Sequence, residues 1–311
     1  MSSQVVCRGW RGVAALALTL VLAACQTAPT TPTATPAPPV VEAPPVVAPK
    51  PPPKPPRIGL ALGGGAARGF AHIGVIQVLE ENGIRPDLVV GTSAGSLVAA
   101  LYASGKTGPE MALLAQNMDE GAITDWSFPG RGLIRGEALA RYVREQTGNR
   151  SIEQMKLPLG IVATDLDSGA PILFRRGDTG MAVRASSAVP AVFQPVRIGS
   201  REYVDGGLVS PVPVRFAREM GAQMVIAVDI TSPPDGNATS DPFQLLMQNF
   251  TIMGKSINHF ELRDADTVLR PSLVGVSSAD FTARRKAIQS GRDAALKLLP
   301  EMQARILQLT R

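Results

Sequence analysis

"DLVVGTSAGSLVAALYASG", residues 87–105, sets a glycine-flanked serine, Ser93, between an apolar run and a stretch of small helix formers. "DLVVGTS" reads as a strand and "AGSLVAALYA" as a helix that ends at Gly105. A serine at a strand-to-helix turn inside G-x-S-x-G has the context of a nucleophile elbow, where a sharp turn pushes the hydroxyl forward. Gly91 and Gly95 leave space for that turn, and the small Ala94 and Ser96 keep the approach open. G-x-S-x-G alone occurs by chance in many chains, so its weight depends on its surroundings.

Upstream, "RIGLALGGGAARGFAHIGVIQVLEENG" (57–83) opens with an apolar run over 58–62 and continues through a glycine loop. Phe70, Ile73, Val75, Ile76, Val78 and Leu79 then follow at roughly helical spacing, and Gly83 closes the helix. The order strand, loop, helix, strand, turn, helix is a βαβα pattern and predicts an α/β fold with a parallel sheet covered by helices. The loop "GGGAARG" fails both nucleotide motifs. Counted from Gly63, the third glycine of G-x-G-x-x-G is replaced by Arg68, and a P-loop counted from Gly64 meets Phe70 where lysine is required. What remains is a run of backbone N–H groups at a helix N-terminus, a site for an anion such as the oxyanion of an attacked ester.

Farther along, "LPLGIVATDL", "APILFRR" and "QMVIAVDI" read as strands, "EYVDGG" as a strand end, and "TGMAVRASSA" and "PVRFAREMGA" as helices. The last 70 or so residues are expected to be mainly helical. Within them "FQLLMQNFTIMG" (243–254) is expected to be a buried core helix, with a lid or membrane-facing helix as the alternative. Residues 57–311 form a single predicted domain, large enough to bury about three quarters of the surface its unfolded chain exposes.

The N-terminal region has a different character. Arg8 and Arg11 precede the apolar "GVAALALTLVLAA", too short to span a bilayer comfortably, and "LAAC" then leads to Cys25. This resembles the lipobox of bacterial lipoproteins and implies a signal peptide over 1–24, with Cys25 as the lipidated residue. By the same resemblance, Gln26 rather than aspartate after the cysteine implies the outer membrane, facing the periplasm. Removing the signal removes Cys7 and leaves one acylated cysteine, so no disulfide is expected. Residues 25–56 are so rich in proline that they predict a semi-rigid tether, reaching ~95 Å if fully extended. The formal charge is +5, and no basic run interleaves with aromatics, so nucleic acid is not suggested.

A reactive serine needs a base. Of the two histidines, His72 in "GFAHIGV" reads as a hydrogen-bonded packing residue near a helix start, and His259 in "SINHFEL" lies far from any glycine signal. Asp205 in "YVDGGLVSPVPV" ends a strand beside Gly206 and Gly207, although "DGG" by itself is an ordinary turn.

"GLALGGGAARGFAHIGVIQVLEENGI", "VVGTSAGSLVAALYASG", "RASSAVPAVFQPV" and "YVDGGLVSPVPV" together, in this order, resemble the patatin-like phospholipases, including the catalytic domain of neuropathy target esterase. The resemblance implies a three-layer α/β fold with a central, mainly parallel sheet between helices. It also implies a histidine-free Ser–Asp dyad, with Ser93 as nucleophile and Asp205 as general base and acid. Gly63, Gly64 and Gly65 would supply the oxyanion hole, with Arg68 the basic residue closing that loop. No metal and no cofactor are implied. The expected substrate is a fatty acyl ester of a phospholipid or lysophospholipid. Two alternatives are a lipid acyltransferase and a catalytically silent lipid- or partner-binding relative.

Overall fold

The computed structural model describes residues 53–126, 130–234, 239–277 and 279–311. The expected signal segment 1–24, Cys25 and all but the last residues of the expected tether lie outside them. Lys54, inside the expected tether, exchanges two backbone hydrogen bonds with Arg311 (2.6 and 3.2 Å), so chain pairing begins before Arg57.

In chain order the strands and helices are β1 (Ile58–Leu62), α1 (Phe70–Glu81), β2 (Leu88–Thr92), α2 (Ala94–Ala103), α3 (Gly108–Asn117), β3 (Gly132–Ile134) and α4 (Glu137–Gln146). They continue with β4 (Leu159–Asp165), β5 (Pro171–Phe174), α5 (Thr179–Ser186), β6 (Ala191–Phe193), β7 (Val196–Ile198) and β8 (Arg201–Asp205). Last come α6 (Val214–Glu219), β9 (Met224–Val228), α7 (Pro242–Glu261), β10 (Thr267–Leu269) and α8 (Arg284–Leu309).

The central sheet runs β10-β9-β1-β2-β4-β8-β7, and β5 also pairs with β4. From β10 to β4 every pairing is parallel; β8, β7 and β5 join antiparallel. Every residue of β1, β2, β4 and β9 is buried, as parallel strands covered on both faces require. Alternation along β1 separates the layers. Leu60 and Leu62 pack with α1, α2, α3 and α8, whereas Ala61 packs with Val214, Phe216 and Ala217 of α6 on the other face. The sheet is therefore mixed, mostly parallel and flanked by helices, as the βαβα pattern predicts.

The C-terminal stretch is mainly helical, as expected, and the short β10 within it extends the sheet beyond β9. One expectation needs correction: α7 is not a buried core helix. Only Gly254, Asn258 and Glu261 are buried along it, while Leu245, Ile252, Met253 and Phe260 are 51%, 48%, 52% and 66% exposed. Apolar content alone cannot tell a buried helix from one whose apolar residues face outward.

Candidate active site

The site forms at the C-terminal ends of β1, β2 and β8. Between β2 and α2, Ser93 takes φ 53° and ψ −126°, a conformation that costs a non-glycine residue about 1–3 kcal/mol and persists only where its surroundings enforce it. Several contacts do so. The Ser93 N–H donates to Ser186 Oγ (2.8 Å), and Ser93 O accepts from the Ser96 N–H (2.8 Å) and hydroxyl (2.6 Å). The turn is also pressed against β1. A Cβ at Gly95 would stand 2.1 Å from Leu62 O, and one at Gly91 would stand 2.3 Å from Gly95 O. Neither position tolerates a side chain.

The β1–α1 loop lies directly over the elbow, where a Cβ at Gly64 would sit 3.0 Å from Ser93 Cβ. Two of its three glycine N–H groups are already used. Gly63 N–H donates to Val228 O (3.1 Å) and Gly64 N–H to Pro211 O (2.9 Å). The expectation that Gly63 and Gly64 serve as oxyanion donors is thereby corrected, because their N–H groups hold the loop to the fold. Gly65 N–H and Ala66 N–H have no acceptor among the described residues. Gly65 opens the short 3-10 turn Ala66–Gly69, and Ala66 itself takes φ 50°.

Arg68 closes the loop through its N–H, which donates to Gly65 O (3.1 Å). Its buried guanidinium donates through Nη1 to Ser232 Oγ, and Nε has no partner among the described residues. Burial holds it below its usual pKa, against the pull of Asp229. The Arg68 side chain is thus committed to the segment after β9, and its part in the loop is to brace it.

Asp205 ends β8 at the point where the strand pairs with β4. Its N–H donates to Ala188 O (3.0 Å), and its carbonyl accepts from Thr164 Oγ1 (2.8 Å). Oδ1 accepts from the Gly207 N–H (2.7 Å), while buried Oδ2 has no hydrogen-bond partner among the described residues. Burial raises the carboxyl pKa to about 6, opposed by the Ser93 hydroxyl and by the Gly207 N–H. Ser93 Oγ is therefore close enough to favour the anion, although no hydrogen bond of full geometry joins it to Oδ2. Such pairs commonly align only once substrate is bound.

The histidines fall as expected. His72 is fully buried on α1 with Nε2 2.8 Å from Gly63 O. Burial lowers its pKa to about 4, so at neutral pH Nε2–H donates to that carbonyl. His259 is exposed on α7 and accepts from Arg263 Nη2 (2.6 Å). The residue not assigned from sequence is Ser186. It stands within "RASSA", but nothing in that spelling says which serine reaches Ser93.

The model of the family described as patatin-like phospholipase matches residues 60–218, a span that contains the glycine loop, Ser93, Ser186 and Asp205. The chain belongs to the patatin-like phospholipase family. An NTE family protein of Mycobacterium tuberculosis is 38% identical over 186 residues, covering 59% of this chain and 51% of that protein. Patatin-like phospholipase domain-containing protein 6 of Mus musculus is 31% identical over 229 residues, covering 71% of this chain and 16% of that protein. This family member thus spans about half the length of the mycobacterial relative and a small part of the mouse one. Among solved structures, VipD from Legionella pneumophila is similar in fold, with a TM-score of 0.55 at 14% identity over 80% of this chain and 68% of that one.

Proposed function

We propose that the chain is a serine acyl hydrolase that cleaves fatty acyl esters of phospholipids or lysophospholipids through a Ser93–Asp205 dyad. One observation carries this reading: a buried carboxylate with one free oxygen faces a strained serine at an elbow. Ser93 Oγ attacks the ester carbonyl carbon while its proton passes to Asp205 Oδ2. The resulting oxyanion is stabilised by the free N–H groups of Gly65 and Ala66. Collapse breaks the bond to the leaving alcohol, which takes the proton from Asp205 and leaves an acyl-serine. Water then gives its proton to Asp205 and its oxygen to the acyl carbon. Breakdown returns the proton to Ser93 and releases the fatty acid. A carboxylate with a pKa of about 6 is largely ionised at neutral pH yet remains basic enough to take a proton.

The reading extends to the N-terminal region, where "LAAC" supports lipidation at Cys25 and tethering to the bacterial cell envelope, with the domain facing the periplasm. The test is labelling with a fluorophosphonate, run beside fatty acid release from diacyl and lysophospholipid vesicles. Ser93→Ala is expected to lose both. Labelling that persists in Ser93→Ala would move the nucleophile elsewhere. Cys25→Ser is expected to leave the membrane pellet without loss of labelling at Ser93.

A further inference from the structure

Helix α7 presents an apolar outer face that the fold leaves open. Leu246, Met253 and Phe260 recur every seven residues along one line, with Leu245 and Ile252 on the next, and all five are exposed. Only the uncharged Asn249 and Ser256 lie between the two lines. The sole carboxylate from Pro242 to Glu261 is Glu261, which is buried and accepts from Ser210 Oγ (2.6 Å). Apart from Asp241, which caps the helix N-terminus by accepting the Gln244 N–H (2.9 Å), the charged groups beside the face are basic. Lys255 is exposed, and the Arg263 guanidinium lies over the Phe260 ring at 5.1 Å. Arg263 also opens onto a cleft of about 580 Å³ shared with Arg215, Arg218 and Arg305, where Asp264 and Asp266 supply only part of the balancing charge.

We propose that this face is a docking surface for an anionic phospholipid bilayer, with its apolar residues in the acyl–headgroup boundary and Lys255, Arg263 and the arginine cleft at lipid phosphates. An apolar helix face flanked by basic side chains is the pattern of a helix lying in the interfacial plane. No described helix is long and apolar enough to cross a membrane, so α7 lies on the surface rather than spanning it. A second copy of the chain fits less well, since self-pairing would set basic flanks against one another with no exposed carboxylate on the helix to answer them.

The face is also well placed. Gly254 packs against Pro211, whose carbonyl holds Gly64 N–H in the loop over Ser93. Docking on the outer face of α7 therefore holds a bilayer on the side of the fold whose inner contacts reach the loop over Ser93. The relevance of that proximity rests on the proposed hydrolase function; the docking itself does not.

The test uses the full chain with Cys7→Ser and Cys25→Ser, which removes both native cysteines and the acyl anchor. Ser93→Ala in the same chain keeps hydrolysis out of the measurement. A single cysteine at Met253→Cys or Ile252→Cys carries an environment-sensitive NBD label, and Gln289→Cys on α8, across the sheet, is the control. With vesicles containing about a third phosphatidylglycerol, emission at either α7 position is expected to shift to the blue and rise about twofold or more, while the control stays unchanged. The response should weaken on phosphatidylcholine alone, and Arg263→Glu should erase that difference. Three outcomes overturn the proposal: no vesicle response at both α7 positions, an equal response at Gln289→Cys, or an α7 response that follows protein concentration without vesicles and so reports a second copy.

Discussion

The Ser186 hydroxyl joins the strained Ser93 to strand β4, accepting the Ser93 N–H at 2.8 Å and donating to Val162 O at 2.6 Å. One small side chain thus fixes the elbow against its neighbour in the sheet. Ser186→Ala leaves a buried N–H and a buried carbonyl unpaired, which should cost about 1–3 kcal/mol in urea unfolding. The same change frees Ser93 to relax, so kcat and the fluorophosphonate labelling rate are expected to fall together by about tenfold. Equal labelling rates in both proteins would confine Ser186 to stability.

Asp205 links activity to a stability cost. Its folded pKa of about 6 stands above the ordinary 3.8, so its contribution to stability is present below 3.8 and is lost as pH rises through 6. Asp205→Asn should therefore raise the unfolding free energy at pH 7 by about 3 kcal/mol, and the gain should vanish near pH 4. Its kcat should fall about 10²-fold or more. In the wild type, kcat/KM should rise with pH through one apparent pKa near 6.

His72 has the opposite sign over nearly the same range. Its folded pKa of about 4 lies below the ordinary 6.5, so its contribution is present above 6.5 and is lost as pH falls through 4. The two groups partly cancel between pH 4 and 6. Asp205→Asn should expose a steeper acid destabilisation than the wild type shows, and His72→Gln a flatter one. Thermal melts over pH 4 to 7 would read both slopes, and parallel curves for the three proteins would remove His72 and Asp205 as the groups responsible.

Ala66 occupies φ 50° where a side chain is disfavoured. Ala66→Gly relieves a strain of about 1–2 kcal/mol but loosens the unfolded chain at a cost of about 0.4–1 kcal/mol. A net gain of up to about 1 kcal/mol is expected from the urea midpoint. A clear loss would mean that the Ala66 methyl supplies packing that outweighs the strain.

Much of the site was legible because its parts are local. The βαβα pattern placed β1, α1, β2 and α2, and the two glycine motifs marked both turns beside Ser93. Asp205 was harder, because it meets Ser93 only through the antiparallel pairing of β8 with β4, which no periodicity encodes. Family resemblance supplied that link. The use of each loop N–H depended on Val228 and Pro211, residues more than 140 positions away, so the donors could not be sorted in advance. Strands of three residues such as β3, β6 and β10 carry too short a pattern to stand out. Helix α7 misled for a different reason: both of its faces contain apolar residues, and only the tertiary packing decides which face the protein covers.

The peptide between Gly63 and Gly64 is held from both sides, its oxygen by His72 and its N–H by Pro211 O. A peptide unit clamped at each end cannot flip to meet an incoming ligand. The loop is then anchored just ahead of the free Gly65 N–H before any encounter, and a tetrahedral inhibitor should associate in a single exponential step, without the lag that a flipping Gly63–Gly64 peptide would impose.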